Sequence, residues 1–280
     1  MLRSVRSRAA VAACAAALVP AAAQAACRPP ARIVSLSPTG TEMLFAIGAG
    51  KNVVAVDDQS NYPRTAPRTK LSGFTPNVEA ILKYRPSVVV VAYNTNNVVG
   101  GLRAAKVRVI SQPSAKNLGQ SYRQIRALGA VTCRQKAAAK TVVRIRSGLA
   151  AAVKSAPRSA RGKSYFHELD NTLYTATSRT FIGQIYRMFG LRNVADGADD
   201  GSGYPQMSAE GVIASNPSFI FLADGAFGES PATVAARPGW GGIAAVKNGD
   251  VRTVNADVAS RWGPRVVVFA RQVAAALRSS

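Results

Sequence analysis

The side chains best placed to do chemistry here are aromatic, and their spacing suits holding a molecule rather than breaking a bond. Tyr62, Phe74, Tyr93, Tyr204 and Trp262 each fall in a polar connection next to an apolar run. Rings carried at the ends of sheet strands offer flat apolar faces to a large, planar, partly apolar ligand. Asp257 and Arg261, in the segment DVASRWGP, could fix the polar edge of such a ligand; the plainer alternative is a surface ion pair. Covalent chemistry has no comparable signature. The chain has no P-loop, HExxH, GxSxG, or GxGxxG after an apolar strand. Its single histidine, His167, lies inside an apolar run beside Glu168 and Asp170, where a structural role is the simplest. A His/Cys metal cage is not expected from so few ligands, and neither is an enzyme.

Two glutamates form a second constellation. Residues 79–92 read EAILKYRPSVVVVA and residues 210–223 read EGVIASNPSFIFLA. In each, a Glu precedes Pro-Ser by seven residues, and four apolar residues and an Ala follow. Asn77 and Ser208 stand two positions before Glu79 and Glu210 and are good helix N-caps. The pattern predicts a short helix stopping before Pro86 or Pro217, then a strand apolar on both faces. Such strands belong in a covered parallel sheet. Each half of the chain therefore presents a carboxylate at a helix N-terminus, where a helix dipole also favours an acid.

The elements that position these groups alternate strand and helix. A strand is expected over 32–38, a helix from Thr41 to Gly48 or Gly50, and a strand over 53–56. Residues 57–74 form a connection longer than linkage requires, a candidate binding loop. A turn over 93–97, a helix over 98–105 and a strand over 107–111 follow. An uninterrupted helical run over 134–155 carries Val142, Ile145, Leu149 and Ala152 as an apolar stripe, with Lys136, Lys140 and Arg144 on another face. Lying between the two repeated stretches, it reads as a strut. The second half offers strands over 165–169 and 173–176, a helix over 180–189, a flexible turn over 199–204, a strand over 251–254 and a closing helix over 264–277. The expected fold class is α/β: two related lobes with mostly parallel sheets joined by one long helix. The expected divisions are a signal peptide over 1–25, lobes over 26–132 and 158–280, and the joining helix over 133–157.

Export is read from the N-terminus. Arg3, Arg6 and Arg8 precede an Ala/Val-rich run and an Ala-Gln-Ala cleavage site, the pattern of a secretory signal peptide. The whole chain carries 36 Lys+Arg against 14 Asp+Glu, a net +22; without residues 1–25, 33 bases face 14 acids, or +19. Those bases are scattered, so a basic solvated surface is expected rather than a nucleic-acid or anionic-polymer site. Cys27 and Cys133 remain as an even pair in an oxidising compartment, which predicts one disulfide. Cys27 could instead take a lipid after signal cleavage, but Gln24 fits that pattern poorly, and no anchor is expected.

The ordered set of RIVSLSPTGTEMLFAIG, SNYP, GFTPNVEAILKYRPSVVVV, NTLYTATSRTFIGQIY, GYPQMSAEGVIASNPSFIFL, RPGWGGIAAVKNGDV and DVASRWGPRVV resembles a family. It is that of ABC-importer substrate-binding proteins for cobalamin, ferric siderophores and haem, nearest to the cobalamin binders. The resemblance spans roughly residues 32–277. It implies a periplasmic or extracytoplasmic monomer that clasps its ligand between two lobes, with no cofactor of its own. Tyr62, Phe74, Tyr93, Tyr204, Asp257 and Arg261 match cleft-lining positions. Glu79 and Glu210 match glutamates that dock on arginines of the transmembrane permease. If the ligand were haem, Tyr62, Tyr93 or His167 could supply an axial ligand. The chain departs from the cobalamin binders in having Phe or Tyr at several cleft tryptophan positions and no cysteines for a second-lobe disulfide.

Overall fold

The computed structural model describes residues 27–279, so the leader and its cleavage site lie outside the described residues. The first half alternates β1 (Ile33–Leu36), α1 (Pro38–Ala46), β2 (Val53–Val56), α2 (Val78–Leu82), β3 (Val88–Val91), α3 (Val98–Ala104) and β4 (Arg108–Ser111). Its strands are all parallel, in the order β2-β1-β3-β4. Then come two packed helices, α4 (Leu118–Val131) and α5 (Gln135–Ser155). The second half runs β5 (Ser164–Glu168), α6 (Phe181–Met188), β6 (Arg192–Asn193), α7 (Ala209–Ser215), β7 (Phe219–Leu222), α8 (Pro231–Ala235), α9 (Ala244–Lys247), β8 (Val251–Thr253), α10 (Ala256–Ser260) and α11 (Val266–Arg278). Its sheet, β6-β5-β7-β8, repeats the order of the first and is again parallel.

Both faces of both sheets are covered, as the unbroken apolar strands require. In β3, Val89 and Val91 enter an apolar cluster with Ile81 and Leu102, whereas Val90 enters the large cluster formed with α4, α5 and α11. In β7, Phe219 and Phe221 join that same large cluster while Ile220 and Leu222 pack under Trp240. Burial of each of those phenylalanines is worth about 1.5–3 kcal/mol. One hydrophobic body thus runs through both halves, with α5 at its centre.

Differences from expectation are local. Residues 173–176 are not a strand; Thr175 and Tyr174 make single antiparallel bridges to Glu168 and Gln206. Helix α4 was not expected. Cys27 and Cys133 form a disulfide, 5.7 Å between Cα atoms, that ties the chain ahead of β1 to the corner between α4 and α5.

Candidate functional site

The site lies where the C-terminal ends of the two sheets face each other. On the first side, Phe74 ends the loop after β2 and Tyr93 follows β3. Their rings stack with centroids 5.4 Å apart and planes 23° from parallel. That loop is pinned down by Asp58 N–H donating to the Leu71 carbonyl (2.8 Å) and Thr69 N–H to the Val56 carbonyl (3.1 Å). Gly73 is needed there, because a Cβ would lie 2.8 Å from Asp57 Oδ2 and 3.0 Å from the Leu36 carbonyl oxygen. Across the gap stands Tyr204, which lines the same cavity as Tyr93 and whose phenol is raised in pKa by burial first and by Tyr93 second. Phe74, Tyr93 and Tyr204 are 59%, 42% and 45% exposed, unusually open for large rings beside a core.

Phe74, Tyr93, Tyr204, Asp257 and Arg261 line one cavity of about 280 Å³, together with Phe181 and Trp262. Pockets for drug-sized ligands run from roughly 300 to 1,000 Å³. A large ligand would therefore rest in the mouth, against the exposed rings, rather than be enclosed. Tyr62 is placed apart from this group. It lines a neighbouring cavity of about 580 Å³ between α1, α5 and α11, with the Arg265 guanidinium 4.3 Å from its ring centre.

Arg261 is buried, and its guanidinium is already occupied. Nη1 donates to Glu42 Oε1 (2.9 Å) and Asn61 Oδ1 (2.7 Å), and Nη2 to Asp257 Oδ1 (2.9 Å) and the Gln59 carbonyl (3.1 Å). Asp257 Oδ2 accepts from Asn61 Nδ2 at 2.7 Å. A neighbouring buried carboxylate, Asp57, is pushed up to about 6 by desolvation, which outweighs its hydrogen bond to Ser60.

His167 is remote from the cavity in every chemical sense. It is fully buried, its Nδ1 lies 2.8 Å from the Tyr186 hydroxyl, and burial pushes its pKa down to about 3. Its full burial, away from the cavity lining, removes it from the candidates for a haem axial ligand. Glu168, next to it, faces Arg237 in a bidentate pair at 2.5 and 2.7 Å, so the two do not act on one another.

Glu79 and Glu210 sit where the repeat implied. Asn77 and Ser208 cap α2 and α7 by accepting from Ala80 N–H (2.9 Å) and Gly211 N–H (3.0 Å). Each glutamate occupies the first turn and is exposed, and its carboxylate makes no hydrogen bond or ion pair among the described residues. Sequence reading passed over Phe227, 88% exposed just after β7, and Tyr174, 43% exposed after β5. The available signal for Phe227 was an aromatic residue in the connection just after the second repeated strand, four positions beyond Ala223.

Two parallel sheets in the same order, facing across an aromatic cleft and spanned by one long helix, define a two-lobe solute-binding protein. Residues 33–258 match the family described as periplasmic binding protein, and the chain belongs to it; its members are binding proteins and not enzymes. A cobalamin-binding protein of Halobacterium salinarum is 31% identical over 249 residues, 85% of this chain and 67% of its own. An uncharacterized ABC transporter substrate-binding lipoprotein of Bacillus subtilis is 28% identical over 254 residues, 88% of this chain and 79% of that one. The crystal structure of the periplasmic vitamin B12-binding protein of Vibrio cholerae shares 27% identity and a TM-score of 0.74, over 89% of this chain and 97% of that one. The expectation of an unanchored N-terminus is not borne out by these relatives, since one of them is named a lipoprotein. In this chain the Cys27 sulfur is held by Cys133.

Proposed function

We propose that the protein is the extracytoplasmic capture component of an ABC importer and that its ligand is a corrinoid. The observation that carries this reading is the meeting of Phe74, Tyr93 and Tyr204, from both sheets, at one open cavity. Three exposed rings on opposing walls suit a broad, flat, partly apolar ligand, and stacking adds about 0.5–1.5 kcal/mol per aromatic pair beyond burial. Asp257 and Ser260 offer acceptors at the cavity wall for the ligand's polar periphery.

Delivery follows from the two free carboxylates. Glu79 and Glu210 stand at matched positions of the two halves, so a permease carrying two arginines can grip both at once, with the capture protein acting as a monomer. The nearby cationic surface does not compete for them, as neither is paired internally. A ferric siderophore would use the same rings. Haem would draw on Tyr93, one of two exposed phenols within the cavity, as its axial ligand.

Titration of the purified protein with cyanocobalamin, cobinamide, haem and ferric chelates, followed by absorbance and calorimetry, tests the proposal. Micromolar or tighter binding of a corrinoid is expected. Haem binding with a tyrosinate spectrum would reassign the ligand, and no binding to any of the four would remove the capture role.

A further inference from the structure

We infer that Glu42 is a positioning residue that locks the two lobes together and holds the ligand-facing loop in place. Glu42 lies on α1, a helix of the first lobe, and is 3% exposed. Nothing on its own helix neutralises it. Its two oxygens are taken by two arginines that lie more than 200 residues later, between α10 and α11. Arg261 Nη1 donates to Oε1 at 2.9 Å, while Arg265 donates through Nε to Oε2 (3.0 Å) and through Nη2 to Oε1 (2.5 Å). Arg261 then reaches Asn61 and the Gln59 carbonyl in the loop that ends at Phe74, and Asn61 closes the circuit by donating to Asp257.

Two carboxylates and two guanidiniums make this cluster neutral, and its buried carboxylate has charge-assisted partners on both oxygens. Burial makes it rigid in a particular way. If one lobe rotated away from the other, Glu42 would be left as an uncompensated buried charge, while Arg261 would keep only Asp257. The cluster also divides the cavity beneath Phe74 and Tyr204, which includes Arg261, from the larger one beside Tyr62, which includes Glu42 and Arg265. Arg261 therefore acts first on protein and only through it on ligand: it sets the height of the loop bearing Phe74. Ordinary packing would not require a buried acid at this place, since the rest of the buried face of α1 is uncharged.

The effect on capture rests on the function proposed above, but the latch itself can be read without ligand. Spin labels on Arg103→Cys and Lys247→Cys, exposed positions in opposite halves, report the interlobe distance by double electron–electron resonance. In the ligand-free protein, Glu42→Gln should broaden that distribution, and Asn61→Ala, a change at an exposed residue, should broaden it less. If the aligned fraction falls to about a tenth, apparent ligand affinity weakens about tenfold. Distributions as narrow as the parent's in both variants would overturn the latch. Should Glu42→Gln fail to fold, Asn61→Ala alone decides it. Loss of all ligand binding in the parent, with broadening in the variants, would sink the capture reading and leave the latch standing.

Discussion

Single residues in this chain separate into those that face the ligand and those that hold the fold, and the division is not the one their types suggest. Phe74 and Tyr204 are apolar yet exposed, whereas Glu42 and Arg261 are charged yet buried. Phe74→Ala and Tyr204→Ala are each expected to weaken ligand binding by about 1–2 kcal/mol while leaving Tm within a degree or two, measurable by calorimetry and thermal melts. His167 belongs to the other group. Its folded pKa, about 3, is below the ordinary 6.5, so the neutral form is favoured in the fold and protons bind the unfolded chain preferentially. Stability from this group is full above pH 6.5 and is lost as pH falls toward 3, amounting to about 2 kcal/mol by pH 5. A His167→Gln variant should therefore show a flatter stability profile than the parent between pH 7 and 5; parallel profiles would assign the acid sensitivity elsewhere. The aromatic positions were legible because a ring in a polar loop is conspicuous in sequence. The true partners of Arg261 were not, because a guanidinium reads the same whether it faces ligand or a carboxylate 219 positions away. The available hint was Glu42 itself, an acid inside an apolar stretch with no base one helical turn distant.

At the scale of elements, strands and capped helices were the readable part. β3 and β7 are unbroken apolar runs, and α2 and α7 carry both a cap and a stop. Helix α4 escaped because its buried stripe is Ser121, Tyr122, Ile125, Leu128 and Gly129, in which small and polar residues dilute the apolar period. The structure supplies the reason for that dilution. A Cβ at Gly129 would lie 2.5 Å from the Ala138 Cβ of α5, so close approach of the two helices demands glycine. Gly129→Ala should then destabilise by about 1–3 kcal/mol by overpacking, despite roughly 1 kcal/mol of gained helix propensity. Adding Ala138→Gly should recover part of the loss; a neutral or stabilising single change would contradict the tight contact. The helix also carries seam contacts, for the Ser121 hydroxyl donates to the Trp262 carbonyl and Gln124 Oε1 accepts from Trp262 Nε1 at 2.6 Å. For α2 and α7, Glu79→Ala combined with Glu210→Ala should leave ligand affinity intact and abolish permease-dependent uptake. Normal uptake by the double variant would return both acids to residues favoured only by the helix dipole.

For the molecule as a whole, the repeated sheet order and the long strut were foreseeable, but the thickness of the join was not. α5 does not act alone: α4, α11 and the Glu42 cluster all cross between the halves. Such contacts connect residues far apart in sequence, and local patterning carries no trace of them. In a protein of net charge +22, two surface acids have no ion pair among the described residues. Glu42 and Asp257 are held by Arg261 and Arg265, whereas Glu79 and Glu210 stand in the first turns of α2 and α7.

The disulfide gives this arrangement a topological character. With Cys27 joined to Cys133, a separation of 106 residues, the whole first sheet is a closed covalent ring. Glu42, Asn61, Ser121 and Gln124, which make the first half's share of the seam, all lie inside it. A single protease cut at an exposed site such as Arg64 therefore releases nothing: the nicked chain should migrate as one species without reductant and as two with it. Such a nicked ring keeps every seam residue tethered, so an extracellular protease that opens the ligand loop still leaves both halves of the binding protein on one covalent thread.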